Sequence, residues 1–316
     1  MVPLDNPEWH IQFQSDQHNL QNSEVNIGWY WARPTSTVRD LFVRSQTWWS
    51  QNPTGFWDQR IMNSVRNAMI REESLNFPKS IVLNLTEYKS TMSFDWTEIY
   101  TNEPLIDSMN QEGVIVHYTM IFGLTKIVVA KQFGHWMNQT YYTQSPRILR
   151  PVNIAGNTND ALDQLAFAVY LSKISNRSFM WPNAIQHTCP QYVNGTKYRP
   201  PILIADVQSV DNAVPWVEGT YFRNRQRYTN VPLNSTSILL NAAFEQYTQS
   251  TSSFLERFRT PDADVLTIDF GGFDIARWRN SAVVKNGVRE AGVTECHDCG
   301  LMSHINNLHV FDHVVC

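Results

Sequence analysis

The feature that most constrains the fold is an aromatic-rich stretch that stops at a proline and precedes two helix patterns. Val25-Asn-Ile-Gly-Trp-Tyr-Trp-Ala-Arg-Pro-Thr35 has the composition of a buried strand, ended by Pro34. Thr37-Val-Arg-Asp40 is a capping-box pattern, which predicts that a helix starts there. A second helix is predicted from about Trp57, with the pair Asp58-Gln59 at its start. A strand followed by two helices indicates layered α/β structure.

The rest of the chain alternates strand and helix patterns in both halves, which predicts α/β layers throughout. Short apolar runs predict strands at 9–15, 24–33, 80–85, 113–118, 148–154, 179–182 and 264–270. Apolar residues at helical spacing predict further helices at 124–133, 160–174, 235–247 and 252–257. The pattern restarts after the Pro-containing segment 144–151, so two domains are predicted, 1–146 and 147–316.

The helix patterns also predict which side chains are buried. In the first helix these are Val38, Leu41, Phe42 and either Trp48 or Trp49. In the second they are Ile61, Met62, Val65 and Met69. Several aromatics cluster in this region, and aromatic faces can stack on sugars. Strand alternation sends about half of such residues to the core, so packing is the expected role of most.

Composition and charge exclude several classes of function. The net charge is −4 and opposite charges are interspersed, whereas a nucleic-acid-binding protein would carry a basic stripe. No run of about 18 apolar residues is present, so no transmembrane helix is predicted. The first residues, Met-Val-Pro-Leu-Asp-Asn-Pro, do not resemble a signal peptide.

Other features are typical of the secretory pathway. Asn-x-Ser/Thr sequons occur at Asn84, Asn138, Asn176, Asn194 and Asn234, against about two or three expected by chance. Four cysteines, Cys189, Cys296, Cys299 and Cys316, fit disulfides in an oxidising lumen. A zinc site built on Cys296 and Cys299 with His304 and His309 is the less favoured alternative, because the spacing is irregular. Sequons without a targeting segment lead us to expect a fragment, or a gene model begun at an internal Met.

Three blocks in order resemble the nucleotide-diphospho-sugar transferase domain, and within it glycosyltransferase family 77 of plants, algae and amoebae. The blocks are Asn26-Ile-Gly-Trp-Tyr-Trp-Ala-Arg-Pro-Thr35, Trp57-Asp-Gln-Arg-Ile-Met-Asn63 and Val116-His-Tyr-Thr-Met-Ile-Phe-Gly-Leu-Thr-Lys126. A later segment, 157–182, resembles a module that follows the catalytic domain in some relatives. Together the similar segments cover most of residues 9–182.

The resemblance implies both a fold and a function. Residues 1–146 would be the C-terminal part of a GT-A-like, Rossmann-like transferase domain, and 147–316 a second α/β domain of unclear role. The protein would be a hexosyl- or pentosyltransferase that uses a nucleotide-diphosphate sugar and a glycan or glycoprotein acceptor, with retention of configuration. Its parent would be a membrane-anchored Golgi glycoprotein. Family members use Mn²⁺ or Mg²⁺ to neutralise the leaving diphosphate.

Site residues follow from the same blocks. Implied catalytic residues are Asp58, Gln59 and Asn26; implied donor-binding residues are Gly28, Gly123 and Lys126; the implied metal ligand is His117. Each has a plainer structural explanation. Asp58 is also a preferred N-cap, His117 could be an ordinary strand histidine, and Lys126 a solvated helix residue. Asn26 could be a satisfied core amide, although asparagine is depleted in strands.

One sequence motif expected from the resemblance is missing at its expected position upstream of the first block. Such transferases carry an Asp-x-Asp motif upstream of the strand that contains Asn26, and only Asp262-Ala-Asp264 matches it here, in the second half. We interpret that match as an entry into a strand. We therefore expect the 316-residue chain alone to show little transfer, and robust Mn²⁺-dependent transfer would contradict this. The alternatives are a non-catalytic carbohydrate-binding or scaffold protein and, less favoured, a second active site near the loop 155–159.

Overall fold

The computed structural model describes residues 10–15, 25–52, 58–72, 80–83, 88–90, 115–117, 123–144, 147–188, 196–199, 204–246, 251–259 and 261–295. These residues fall into two compact units. The first unit contains the described residues up to 117, and the second contains those from 123 onward. The predicted domain boundary lies at 146, whereas the contacts assign the described part of 123–146 to the second unit.

The first unit is built on a three-stranded sheet. Strand β1 (Ile11–Ser15) lies between β2 (Val25–Ala32), its antiparallel neighbour, and β3 (Ser80–Leu83), its parallel neighbour. Two further short strands, β4 (Tyr88–Ser90) and β5 (Ile115–His117), pair in parallel as a separate sheet. Strands were predicted at the positions of β1, β2, β3 and β5, with bounds one to two residues wider at most ends.

Two helices cover the three-stranded sheet. They are α1 (Ser36–Gln51) and α2 (Asp58–Arg71). Their apolar faces pack with the sheet into one core, formed by Ile11, Phe13, Val25, Val38, Leu41, Ile61, Met62, Val65 and Met69. All four predicted core residues of α2 are confirmed. Of the two tryptophans left open in α1, Trp48 packs against this core and Trp49 is exposed.

The start of α1 differs from the prediction. The helix begins at Ser36, and the side chain of Thr35 accepts a hydrogen bond from Val38 N at 3.3 Å. Thr35 is therefore the N-cap, not Thr37. Pro34 explains the shift, because a proline disfavours helical conformation only for the residue before it, so the helix can start directly after Thr35.

The second unit contains a five-stranded sheet in which every neighbouring pair is parallel. Its strands are β6 (Ile148–Val152), β8 (Ser178–Met180), β11 (Trp216–Val217), β12 (Ser235–Leu239) and β13 (Val265–Asp269), in the spatial order β11-β8-β6-β13-β12. The chain builds outward from β6 to one edge and then returns to build the other side. The point where the direction changes lies between β6 and β13, as in doubly wound sheets. The α/β fold class is confirmed.

Helices fill the connections of this unit. Their bounds are α3 (Gly123–Gln132), α4 (Gln139–Thr143), α5 (Thr158–Ile174), α6 (Val207–Ala213), α7 (Tyr221–Arg225), α8 (Leu240–Glu245), α9 (Thr251–Arg259), α10 (Ile275–Trp278) and α11 (Ala282–Ala291). A small second sheet joins β7 (Ala155–Gly156), β9 (Ile185–Thr188) and β10 (Thr196–Arg199). Helix α5 is buried over most of its length, and Gly287 of α11 lies against its Phe167 and Tyr170.

One predicted helix is partly wrong. Residues 235–247 were predicted as helical throughout, but Ser235–Leu239 form β12, which pairs in parallel with β13, and the helix starts only at Leu240. The Thr and Ile of this pentapeptide favour extended structure, and pairing with β13 decides the outcome. Among the described helices, none is both long and apolar enough to cross a bilayer.

Candidate functional site

A buried asparagine fixes the start of α2 to the start of β2. Val25 N donates to Asn63 Oδ1 at 2.8 Å, and Asn63 Nδ2 donates to Val25 O at 2.9 Å. The same Nδ2 also donates to Gln59 O at 3.0 Å, one helical turn earlier. The asparagine of the second predicted block thus has a structural role. It ties the turn that carries Asp58 and Gln59 to the backbone next to Asn26.

Asp58 lies in the first turn of α2 and its side chain is exposed. Its Oδ1 accepts a hydrogen bond from Gln59 N at 2.8 Å, which occupies an otherwise unsatisfied N–H of the helix start. A carboxylate here is also favoured by the helix dipole. The structural role expected for an acidic residue at a helix start is therefore present. The exposed carboxylate remains able to contact a ligand.

Asn26 and Gly28 lie on β2, beside an irregularity in its pairing. Phe13 pairs with Tyr30, but the next residue, Gln14, pairs with Asn26, so the register shifts within β2. The intervening residues, 27–29, include Gly28. Such bulges are frequent next to active sites, and a glycine within a strand is a common sequence signal for them.

The remaining predicted site residues lie in two different units. His117 is the last residue of β5, opposite Ser90. Gly123 and Lys126 belong to α3 of the second unit. Gly123 opens that helix with a φ of +53°, a left-handed conformation that favours glycine. Lys126 is exposed. Whether Asp58, His117 and Lys126 converge on one cleft stays a prediction.

The described residues do not fit a divalent-metal site. Within them, no group of three or more His, Cys, Asp or Glu side chains is arranged to hold a metal ion. A Mn²⁺ or Mg²⁺ site would need several oxygen ligands together. The four cysteines, and the histidines of the alternative zinc site, lie outside the described residues. A metal requirement therefore rests on the resemblance alone.

The Asp-x-Asp match in the second unit has a structural role. Asp264 directly precedes β13, and its Oδ2 accepts a hydrogen bond from Asn234 N at 3.0 Å, while Asn234 Oδ1 accepts from Asp264 N. Arg177 further fixes this segment by donating to Ala263 O and Pro261 O, each at 2.7 Å. The carboxylate of Asp264 thus joins the starts of β12 and β13. This geometry agrees with its interpretation as a strand entry.

The loop 155–159 is also explained by local structure. Asn157 caps α5 by accepting from Asp160 N at 2.9 Å, and its own Nδ2 donates to Asp160 Oδ2 at 2.8 Å. Arg279 donates to Asp160 and to Asp163 of the same helix. The carboxylate of Asp160 therefore already occupies the N-terminal end of α5. A phosphate there would meet this negative charge, which argues against a phosphate-binding turn.

Sequence reasoning missed a buried polar cluster in the second unit. Glu218 is 0% exposed and accepts hydrogen bonds from Tyr141 Oη and Tyr142 Oη, each at 2.9 Å, and from Asn224 Nδ2 at 3.2 Å. Burial, reinforced by Glu218, raises the pKa of Tyr141 and Tyr142 far above the usual tyrosine range. Glu218 follows the two-residue β11, where no periodic pattern indicates burial.

A buried lysine belongs to the same region. Lys131 is 7% exposed, and its Nζ lies over the rings of Tyr141, Trp216 and Trp136 at 4.0, 4.5 and 5.3 Å from their centroids. Burial lowers the pKa of Lys131, and the charges of Glu218 and Asp211 oppose this shift. Three aromatic faces stabilise the ammonium group by cation–π interaction. The spacing of apolar residues along a helix does not by itself predict a buried lysine surrounded by aromatic rings.

Comparison with known proteins finds one similarity, in the N-terminal region. The model of the nucleotide-diphospho-sugar transferase family matches residues 2–128, which is less than half of the 316 residues. No curated protein and no solved structure matches the chain significantly. The matched range contains all three blocks singled out in the sequence, together with both helices of the first unit. Residues 2–128 of this chain are thus similar to the nucleotide-diphospho-sugar transferase family.

Proposed function

We propose that this protein is a glycosyltransferase that moves a hexosyl or pentosyl group from a nucleotide-diphosphate donor to a glycan or glycoprotein acceptor, with retention, in the manner of family 77. The single observation that carries the proposal is the family match over residues 2–128. The local geometry of Asp58 supports it, because Asn63 links the turn that holds this exposed carboxylate to Val25 at the start of β2.

In the proposed reaction, the bond between the anomeric carbon and the diphosphate breaks, its electron pair leaves with the nucleoside diphosphate, and the anomeric carbon develops positive charge. An acceptor hydroxyl oxygen then bonds to that carbon, and its proton passes to the departing diphosphate. A fixed carboxylate near that carbon would stabilise the charge, and it would also accept hydrogen bonds from donor hydroxyls. We assign this role to Asp58, with Gln59 and Asn26 as neighbouring hydrogen-bonding groups. The donor-binding role of Gly28, Gly123 and Lys126 is part of the same proposal.

The test uses the protein encoded by the longest open reading frame that contains these 316 residues. Purified protein is incubated with a panel of nucleotide sugars, and release of the nucleoside diphosphate is measured. Asp58→Asn keeps a hydrogen-bond acceptor at the helix start but removes the charge. We expect it to lower kcat/KM by about 100-fold, the usual scale for losing one electrostatic stabiliser in a transition state.

A matched control separates catalysis from stability. Asp40→Asn removes a carboxylate of α1 whose ion pair with Arg44 is half-exposed, and it should leave kcat/KM unchanged. If Asp58 served only the helix dipole, both substitutions would cost less than about 1 kcal/mol of stability and neither would affect turnover. Binding of a nucleotide sugar or glycan without turnover by any variant would favour the non-catalytic alternative.

The stereochemical and metal requirements are measured on the same preparation. Proton NMR of the product distinguishes retention from inversion by the coupling of the anomeric proton, and an inverted product would overturn the retaining assignment. Removal of divalent cations by a chelator, followed by readdition of Mn²⁺ or Mg²⁺, tests the predicted cofactor. Activity that survives chelation would remove the metal from the proposal.

A secretory-pathway location is part of the proposal. The support is that Asn138, Asn176 and Asn234, three of the five sequons, are exposed. Asn176 is the residue chosen for the test, because replacing Asn138 or Asn234 would also remove a backbone hydrogen bond accepted by Oδ1. A mass shift on glycosidase treatment that is absent from Asn176→Gln would support this location. An unmodified protein from a secretory host would contradict it.

A further inference from the structure

A cavity of about 510 Å³ lies in the second unit, and its lining residues all come after the family-matched residues 2–128. Its floor is formed by β6, β12 and β13, through residues that include Arg150 and Thr267, which pair directly with each other in the sheet. Its wall is α7 and the segment that follows it, residues 222–233. Cavities of this size hold small-molecule ligands in many proteins.

The cavity wall contains a buried positive charge. Arg225 is 5% exposed, and its Nη1 donates to Val231 O at 2.8 Å. Its Nε has no hydrogen-bond acceptor within the described part of the chain. The ion pairs of the described residues do not include Arg225. A buried guanidinium without a carboxylate partner is costly, and an anion bound beside it would offset that cost.

A second arginine lines the same cavity. Arg150 lies on β6 with its Cζ 5.9 Å from the centroid of the Phe222 ring. This stacking holds the guanidinium over an aromatic face, an arrangement that arginine favours over lysine. Arginine forks match the planar oxygen pairs of carboxylates and phosphates. Two such groups in one cavity give it a strong preference for an anion.

The rest of the lining suits a hydroxyl-rich ligand. Hydroxyl and amide side chains that donate and accept hydrogen bonds line the cavity at Gln226, Thr229, Asn230, Ser235 and Thr267. None of the described lining residues is acidic. Phe222 adds an aromatic surface of the kind that packs on the apolar face of a sugar ring.

We propose that this cavity is a binding site for an anionic carbohydrate, either a sugar phosphate or a uronic acid. The guanidinium groups of Arg150 and Arg225 bind the phosphate or carboxylate, Phe222 packs against the ring, and Thr229, Ser235 and Thr267 bind sugar hydroxyls. The site goes beyond the proposed transfer reaction. Its residues lie outside the family-matched range, and the site requires no nucleotide sugar.

The test is direct binding by isothermal titration calorimetry, with glucose 6-phosphate and glucuronate as anionic probes and glucose as the neutral probe. We expect at least one anionic probe to bind in the millimolar range or tighter, and glucose to bind more than about tenfold more weakly. Binding of one anionic probe alone assigns the site to phosphate esters or to uronic acids. Absence of heat from both anionic probes at ~10 mM overturns the proposal.

Variants locate the site. Arg150→Gln removes an exposed guanidinium and should weaken binding of the anionic probe by about tenfold. Arg277→Gln should leave the affinity for the probe unchanged. Arg277 is the matched control, because its Cζ also lies over an aromatic ring, that of Trp278, at 5.0 Å, but it does not line the cavity. Thr267→Val, a substitution of equal size on the floor, should weaken binding severalfold. Equal affinities in all three variants would contradict the assignment, and no variant requires Arg225 to be replaced.

Discussion

The two units bury their polar groups differently. Among the described residues, the first unit buries polar side chains that are neutral, the amides of Gln12 and Asn63, and both the oxygen and the nitrogen of Asn63 are hydrogen-bonded to the backbone. The second unit buries charged residues as well as amides, namely Lys131, Arg177, Glu218 and Arg225. Yet the family match lies over the first unit and the first turns of α3. The sequence blocks that resemble a family and the most costly buried charges thus lie in different parts of the chain.

This difference has an energetic meaning. A buried amide whose hydrogen bonds are satisfied contributes modestly to the free energy of unfolding. Its removal leaves only a few polar groups without hydrogen-bond partners. A region that buries a charged side chain is stable only while the partners of that charge stay in place. An unpaired charge is far more costly to bury than an unpaired amide. The second unit should therefore be the more sensitive of the two to single substitutions of polar residues.

The largest expected effect follows from Glu218→Ala. The change leaves the buried hydroxyls of Tyr141 and Tyr142 without their acceptor and removes the negative charge that most strongly favours the ammonium form of Lys131. We expect a loss of about 3–5 kcal/mol of stability in the second unit. Hydrogen exchange of peptides that cover β6 and β13 measures it, because protection of core strands reports local unfolding free energy.

Two comparisons sharpen this prediction. Glu245→Ala removes an exposed glutamate of α8. It should change the unfolding free energy measured by hydrogen exchange in β6 by less than about 0.5 kcal/mol. Peptides of β1 and β2 should keep their protection in the Glu218→Ala protein if the units unfold separately. A loss below about 1 kcal/mol in β6 would mean that the buried cluster contributes little, and the contrast between the units would fail.

Alkaline pH should have the next largest effect. Burial raises the folded-state pKa of Tyr141 and Tyr142 well above the usual value, and that of Tyr221 to about 12. The stability from these protonated hydroxyls is fully present below pH ~10 and is lost above it, because the unfolded chain then releases protons that the folded chain retains. At one pH unit above the usual tyrosine pKa, the free energy of unfolding should be lower by about 3 kcal/mol because of Tyr141 and Tyr142 together.

Absorbance at 295 nm and hydrogen exchange test the pH effect together. Ionisation of the buried tyrosines should appear only as the second unit unfolds, while exposed tyrosines titrate earlier. Tyr142→Phe should reduce the dependence on pH by about 1.4 kcal/mol per unit. Early, reversible ionisation of every tyrosine in a protein that stays folded would contradict the buried cluster.

In the first unit the largest effect should come from Asn63→Ala. The substitution removes the side-chain hydrogen bonds to Val25 N and Val25 O and the contact with Gln59 O. We expect about 2–3 kcal/mol of destabilisation, seen as faster exchange in peptides of β2 and α2. Asn67→Ala is the control, because Asn67 is an exposed residue one turn further along the same helix. Equal destabilisation by the two substitutions would contradict the structural role proposed for Asn63.

The sequence predicted local structure where one pattern dominated. The 3.6-residue spacing of Ile61, Met62, Val65 and Met69 was enough to place α2 and its buried face. Prediction failed where pairing decided the outcome. Ser235–Leu239 has no strong strand pattern of its own, since it lies at the edge of the sheet with an exposed face, and it becomes a strand through its pairing with β13.

The sequence leads to candidate site residues only where a family block is present. Family blocks predict roles for Asp58, Gln59 and Gly28, which stay predictions, and the structure places Gly28 within the irregular segment of β2. Glu218, Lys131 and Arg225 gave no such signal. Their burial depends on contacts between residues up to about 90 positions apart, such as Asn224 with Lys131 O, which no local pattern records.

The smallest predicted effect compares the two carboxylates of Asp262-Ala-Asp264. Asp264→Ala removes the acceptor of Asn234 N, so we expect about 1 kcal/mol of destabilisation and faster exchange at the starts of β12 and β13. Asp262 is exposed, and Asp262→Ala should stay within about 0.5 kcal/mol of the unsubstituted protein. Neither should change nucleotide-sugar turnover, since both act on the second unit alone. A loss of turnover in both variants, with stability preserved, would move the catalytic role into the second unit and reverse the comparison on which the proposed function depends.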